Sequence, residues 1–181
     1  MPYSVGLYFD PATDDLVRQV WQNLSEAGLA DYYPVSGNRP HITLALFDDT
    51  DPDRVEPILR EVVESLAAFP LSFQQIGVFP GQKPVVFWAP VVNQALLALQ
   101  KRLYDQLAPF SRPPGFDFYQ PGHWVPHCGL AMEIAGSEKV PDIVRMCLDL
   151  PNPHTALAVE MGLISFRPVK ALFTFSFGRE D

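Results

Sequence analysis

A chain of 181 residues with 48% hydrophobic and 19% charged residues is long enough for one packed domain and too apolar for disorder. Its 13 Lys and Arg against 21 Asp and Glu leave a net charge of −8, which argues against extended nucleic-acid binding but not against a pocket for one phosphate. No apolar run approaches the ~20 residues of a membrane helix, and no signal-peptide pattern opens the chain. Cys128 and Cys147 have no metal-ligand spacing and read as reduced, buried thiols of a cytoplasmic protein; a monomer with neither metal nor cofactor is expected.

Tyr3 to Phe9 alternates as a strand, and a helix capped by Thr13 or Asp14 follows to about Gly28. Asp31 to Pro40 reads as a loop that leads into a strand from His41 to Phe47. In this strand Ile42, Leu44 and Leu46 point to a core, while His41, Thr43 and Ala45 share the other face. Asp48 to Pro52 is an acidic turn that caps a helix carrying Val55, Ile58, Leu59, Val62 and Val63. Leu71 to Phe79 and Val85 to Val92 form a hairpin around Pro80 to Pro84, followed by a helix from about Asn93 to Leu107. Pro109 to Gly122 is irregular and aromatic, and suits either a lid or a crossover between lobes. A strand from His127 to Ile134, a helix capped by Ser137 and a second hairpin, Thr155 to Phe166 and Lys170 to Phe177, complete the chain.

The strand at His127 repeats the one at His41, both reading Pro-His-x-x-Leu-Ala. His127 follows His41 by 86 positions, and Gly162 follows Gly77 by 85. Val55 and Ile58 answer Val140 and Ile143 in the same way, so the chain reads as one domain over 1–181 built from repeats of roughly 1–84 and 85–181. Related by a pseudo-two-fold axis, the two strands would line one cleft with their histidines facing. Two imidazoles flanking a phosphate suit acid–base catalysis on a phosphodiester, one taking a proton and the other giving one. Thr43, on the same face as His41, offers a hydroxyl to a phosphate oxygen.

This duplicated pattern resembles the 2H (two-histidine) phosphoesterases, which include 2′,5′ RNA ligase-like proteins and 2′,3′-cyclic nucleotide phosphodiesterases and carry a His-x-Thr/Ser motif twice. The resemblance implies an α+β, bilobal fold in which two antiparallel sheets line a central cleft with helices outside. It implies His41 and His127 as the acid–base pair, and a small phosphodiester, nucleotide or RNA end as substrate. The second motif departs from the pattern, with Gly129 where the family has a hydroxyl. A backbone N–H, a water, Tyr8 or Arg39 would then have to replace that hydroxyl, or the glycine makes room for a bulkier substrate. Arg39, Trp124, Tyr8 and Phe166 are further candidates for contact with substrate, each with a structural reading beside the functional one. His123 and His154 are expected at the surface, and Cys128 is expected to point away from the histidines. The leading reading is metal-independent hydrolysis of a 2′,3′-cyclic phosphate. A phosphate-binding module impaired through Gly129 and a 2′,5′ RNA ligase-like activity are the alternatives.

Overall fold

The computed structural model describes residues 1–178, so residues 179–181 of the expected domain lie outside the described residues. Helix α1 (Pro11–Glu26) starts where the Asp10 carboxylate accepts a hydrogen bond from the Thr13 N–H at 3.0 Å, one residue before Pro11. The cap therefore precedes the expected Thr13 or Asp14, because proline fits the first turn of a helix, where no N–H partner is required. Thr13, Val17, Trp21 and Leu24 form its buried face. The stretch read as loop contains a short helix, α2 (Tyr32–Ser36). Asp51 and Asn93 cap α3 (Pro52–Glu64) and α4 (Gln94–Leu107), which bury Val55, Leu59, Val62 and Val63 and Leu96, Leu99, Leu103 and Leu107 as the helical spacing predicts. Ser137 opens a short 3-10 turn rather than a cap, and α5 (Val140–Cys147) follows it.

Seven strands complete the fold: β1 (Tyr3–Phe9), β2 (His41–Phe47), β3 (Phe69–Phe79), β4 (Val85–Pro90), β5 (Cys128–Ala131), β6 (His154–Ser165) and β7 (Lys170–Ser176). All their pairings are antiparallel, in the order β1-β2-β5-β4-β3-β6-β7, with β1 also paired to β6. The α+β expectation holds, but the two sheets are continuous. β6 is long enough to serve both, pairing β3 through His154 to Ala158 and β1 through Ala158 to Ser165. β5 is shorter than the expected strand because positive φ at Glu133 (53°) and Gly136 (107°) turns the chain away.

Strand–helix–strand–helix–strand occurs twice, as β1-α1-β2-α3-β3 and β4-α4-β5-α5-β6. The pairing repeats with it: β1 lies between β2 and β6, and β4 lies between β5 and β3. The helices interleave across this division, since α1 packs on β5 and α4 on β2. One apolar core therefore runs through both lobes, from Leu7 and Phe47 to Trp88 and Ile143.

Candidate active site

β2 and β5 meet at a single residue pair, Ile42 opposite Cys128. These are the residues that follow the two histidines, and both are fully buried. An antiparallel pair has a local two-fold axis at such a point, so His41 falls opposite Gly129 and Thr43 opposite His127. The histidines are then diagonal neighbours, which in a regular sheet stand roughly 7–8 Å apart. All four residues line one cavity of about 760 Å³.

Each motif strand carries a β-bulge. The β1–β2 register passes from Val5–Ala45 to Gly6–Thr43 and skips Leu44, while β4–β5 passes from Val86–Ala131 to Phe87–Gly129 and skips Leu130. The extra residue reverses the alternation beyond it. Ala45 is therefore buried in the core and Leu46 faces the cavity, opposite to the expectation from strict alternation. In the second strand Met132 faces the cavity in the same way, behind buried Leu130 and Ala131.

The two imidazoles are oriented alike. His41 Nδ1 lies 2.6 Å from the Arg39 carbonyl and His127 Nδ1 lies 2.7 Å from the Val125 carbonyl. A carbonyl only accepts, so Nδ1 carries the proton in each neutral ring and Nε2 is left to exchange one. Burial pulls both groups below the ordinary imidazole range, with the Arg39 charge adding to the effect at His41 and the His41 ring adding to it at His127. Both motif strands are also held from behind by an indole: Trp124 Nε1 donates to the Thr43 carbonyl and Trp21 Nε1 to the Gly129 carbonyl, each at 2.9 Å.

Three sequence candidates stand behind the wall rather than in it. Trp124 is buried and spends its N–H on that bond to Thr43. Tyr8 is buried beneath Arg39, whose guanidinium lies 4.5 Å from the ring centre. Arg39 is itself committed to Glu160 at 2.9 Å, with Asp14 at 3.9 Å. Phe166 does line the cavity, as do Thr43 and Gly129. Cys128 points into the core as its strand phase requires, and burial pushes its thiol up to about 12. His123 sits at the rim beside Asp117 at 2.7 Å, whereas His154, expected at the surface, stacks on Trp88 and hydrogen-bonds Thr13 Oγ1 at 2.9 Å.

Tyr33 from α2 and Phe79 at the end of β3 also line the cavity, though neither lies in a motif that marks it in the sequence. The aromatic loop, expected as either a lid or a crossover, gives Phe116, Phe118 and Tyr119 to a further part of the wall. One pattern in the sequence points to part of this wall: Tyr119 follows Tyr33 by 86 positions, the offset of the histidines. Among the described residues no group of three or more His, Cys, Asp or Glu side chains is placed to hold a metal ion. No described helix is long and apolar enough to cross a membrane.

Comparison with known proteins agrees with this fold. The solved structure of LigT from E. coli complexed with 3′-AMP aligns with a TM-score of 0.59 at 16% identity, covering 99% of this chain and 100% of that one. TT0787 of Thermus thermophilus aligns with a TM-score of 0.60 at 16% identity over the full length of both chains. E. coli LigT complexed with ATP gives a TM-score of 0.55 at 18% identity, over 99% of this chain and all of that one. No curated protein sequence matches significantly. At these identities the solved structures speak for the fold, and the family itself follows from the sequence. Residues 11–166 match the sequence model of the 2′-5′ RNA ligase superfamily, and the chain belongs to that superfamily of two-histidine phosphoesterases.

Proposed function

We propose that the protein hydrolyses a small phosphodiester, a 2′,3′-cyclic phosphate of a nucleotide or RNA end, without a metal ion and with His41 and His127 as the acid–base pair. The observation that carries this reading is the matched pair of imidazoles on one cavity, each with Nδ1 tied to a carbonyl and Nε2 free. In the forward reaction one Nε2 takes a proton from water as its oxygen bonds to phosphorus. The bond from phosphorus to the 2′ or 3′ oxygen breaks, and that oxygen receives the proton from the other Nε2. The product is a phosphomonoester, and the Thr43 hydroxyl steadies a non-bridging oxygen as negative charge builds.

The remaining walls suit a nucleotide, since Phe116, Tyr119 and Phe166 offer aromatic faces to a base. Structures of E. coli LigT complexed with 3′-AMP, NADP+ and ATP support a ligand of that class. The net charge of −8 favours such a small ligand over a long RNA held by its backbone.

The test is turnover of 2′,3′-cyclic nucleotides in the presence of a chelator, comparing wild type with His41→Ala and His127→Ala. Each substitution should lower kcat by about 10²- to 10⁴-fold while the circular dichroism spectrum stays native. Full activity in either variant would sink the two-imidazole mechanism.

A further inference from the structure

We propose that Tyr33 supplies, from helix α2, the phosphate-binding hydroxyl that the second motif lacks, so that Gly129 and Tyr33 together make one oxygen site. The proposal rests on the two-histidine reading and adds to it a residue outside both motifs.

Gly129 is not an empty position. A Cβ built on it would overlap the Tyr33 hydroxyl and stand 2.7 Å from Cζ and 3.2 Å from Cε2. The tyrosine oxygen therefore occupies the space that a threonine side chain at 129 would fill, and glycine is the residue that admits it. The two solutions exclude each other sterically, which explains why the hydroxyl is missing from the strand.

The ring is held where it is needed. Tyr33 stacks on Trp21 with centroids 4.5 Å apart and planes 9° from parallel. Trp21 is anchored to the Gly129 carbonyl, so the platform beneath the tyrosine is fixed to the residue whose side chain it replaces. Tyr32 closes the other approach, edge-on at 5.4 Å. The Tyr33 carbonyl accepts from Ser36 Oγ at 3.0 Å, whereas no hydrogen bond from a described residue engages its hydroxyl.

Tyr33 lines the cavity shared by His41, Thr43 and His127, and its hydroxyl lies at the Cβ position of Gly129, which lines the same cavity. Because His41 falls opposite Gly129 and Thr43 opposite His127, each imidazole gains one hydroxyl beside it, Tyr33 for the first and Thr43 for the second. Burial pushes the Tyr33 phenol above its ordinary range, so it keeps its proton and remains a donor to an anionic oxygen. The two side chains expected as substitutes are not available for this role: Tyr8 is buried outside the cavity lining and Arg39 is paired with Glu160.

The experiment compares wild type, Tyr33→Phe, Tyr33→Ala, Gly129→Thr and the Tyr33→Ala/Gly129→Thr double variant. It reads hydrolysis of 2′,3′-cyclic nucleotides, affinity for a 3′-nucleoside monophosphate by calorimetry, and melting temperature. Tyr33→Phe should lower kcat and weaken monophosphate affinity, each by roughly 10- to 100-fold, with the melting temperature unchanged. Gly129→Thr alone should lose activity through the clash, and the double variant should recover activity relative to Tyr33→Ala. Wild-type kcat and affinity in Tyr33→Phe would overturn the proposal, as would a double variant no better than Tyr33→Ala. If wild type hydrolyses no cyclic phosphate, the hydrolytic reading fails separately, and the monophosphate affinities then decide the role of Tyr33. Weaker binding in Tyr33→Phe sustains it, while equal binding, or none in wild type, overturns it.

Discussion

The two histidines share their supports and differ in their company. Both rings are oriented by the carbonyl two residues upstream, both stand on bulged strands, and both strands are pinned by an indole N–H. Around His41 the neighbours are polar and charged. Tyr8 lies 6.1 Å away, and Arg39, over that tyrosine, is paired with Glu160. Around His127 they are apolar, with Phe79 edge-on at 4.9 Å and Phe87 tilted at 5.3 Å. The cross-strand partners differ in the same sense: Thr43 faces Gly6 on β1, and Gly129 faces Phe87 on β4. A duplicated frame has thus kept the parts that aim the imidazoles and let the parts that surround them diverge. Aim is a geometric requirement that both proposed roles share, whereas an acid and a base need different proton affinities.

If the hydroxyls beside the two imidazoles do comparable work, Thr43→Val should match Tyr33→Phe and exceed any change in the residues that surround the rings. It keeps the β-branched shape and removes one hydrogen bond to a charged oxygen, so kcat should fall by roughly 10- to 100-fold with little change in melting temperature. Steady-state kinetics with a thermal melt checks both halves of that statement. An unchanged kcat would mean that Thr43 is only a strand residue.

Gly77→Ala probes the apolar side. A Cβ there would overlap the Phe87 ring, which stacks on Phe79 at 4.2 Å and packs against His127. Any shift of the ring must disturb its contacts with Phe79 and His127, so the substitution should destabilise the fold by about 1–3 kcal/mol and displace His127. Gly6→Ala on the other side meets only the outer atoms of the Tyr8 ring, at 3.1 Å, and should cost less. Chemical denaturation of the two variants compares them directly. Equal losses would show that the two surroundings are equally tight.

Much of this was legible in the sequence because a repeat displays itself at fixed spacing. The offset of 86 located both histidines, and the helical and strand periods located their supports. What was not legible came from events that leave no period. A bulge at Leu44 reversed the faces of Ala45 and Leu46, and nothing in HITLALF marks the extra residue. Trp124 and Arg39 carry groups suited to ligands, yet they spend them on Thr43 and Glu160, partners far away in the chain. Tyr33 was hidden for the opposite reason. Its hydroxyl reaches the second motif through space from a helix in the first half, and only a glycine at 129 hinted that something else fills the place.

The smallest effect separates the two imidazoles by their charge. Both sit below the ordinary value of about 6.5 in the folded protein, so the form with one proton between them peaks on the acid side of that value. A bell-shaped kcat/KM profile should therefore have its maximum below about pH 6.5. The kcat profile should lie at higher pH, because a bound phosphate anion favours the imidazolium form of both rings. Arg39→Gln then distinguishes them. Removing the guanidinium takes away a positive charge that lowers His41, while burial and the His41 ring, which lower His127, remain. One limb of the kcat/KM profile should move to higher pH and the other should stay. A moving acid limb narrows the bell and identifies His41 as the group that must be deprotonated, the base. A moving alkaline limb widens the bell and identifies it as the acid. If both limbs move together, the Arg39 field reaches the whole cavity and the two surroundings are not electrostatically distinct.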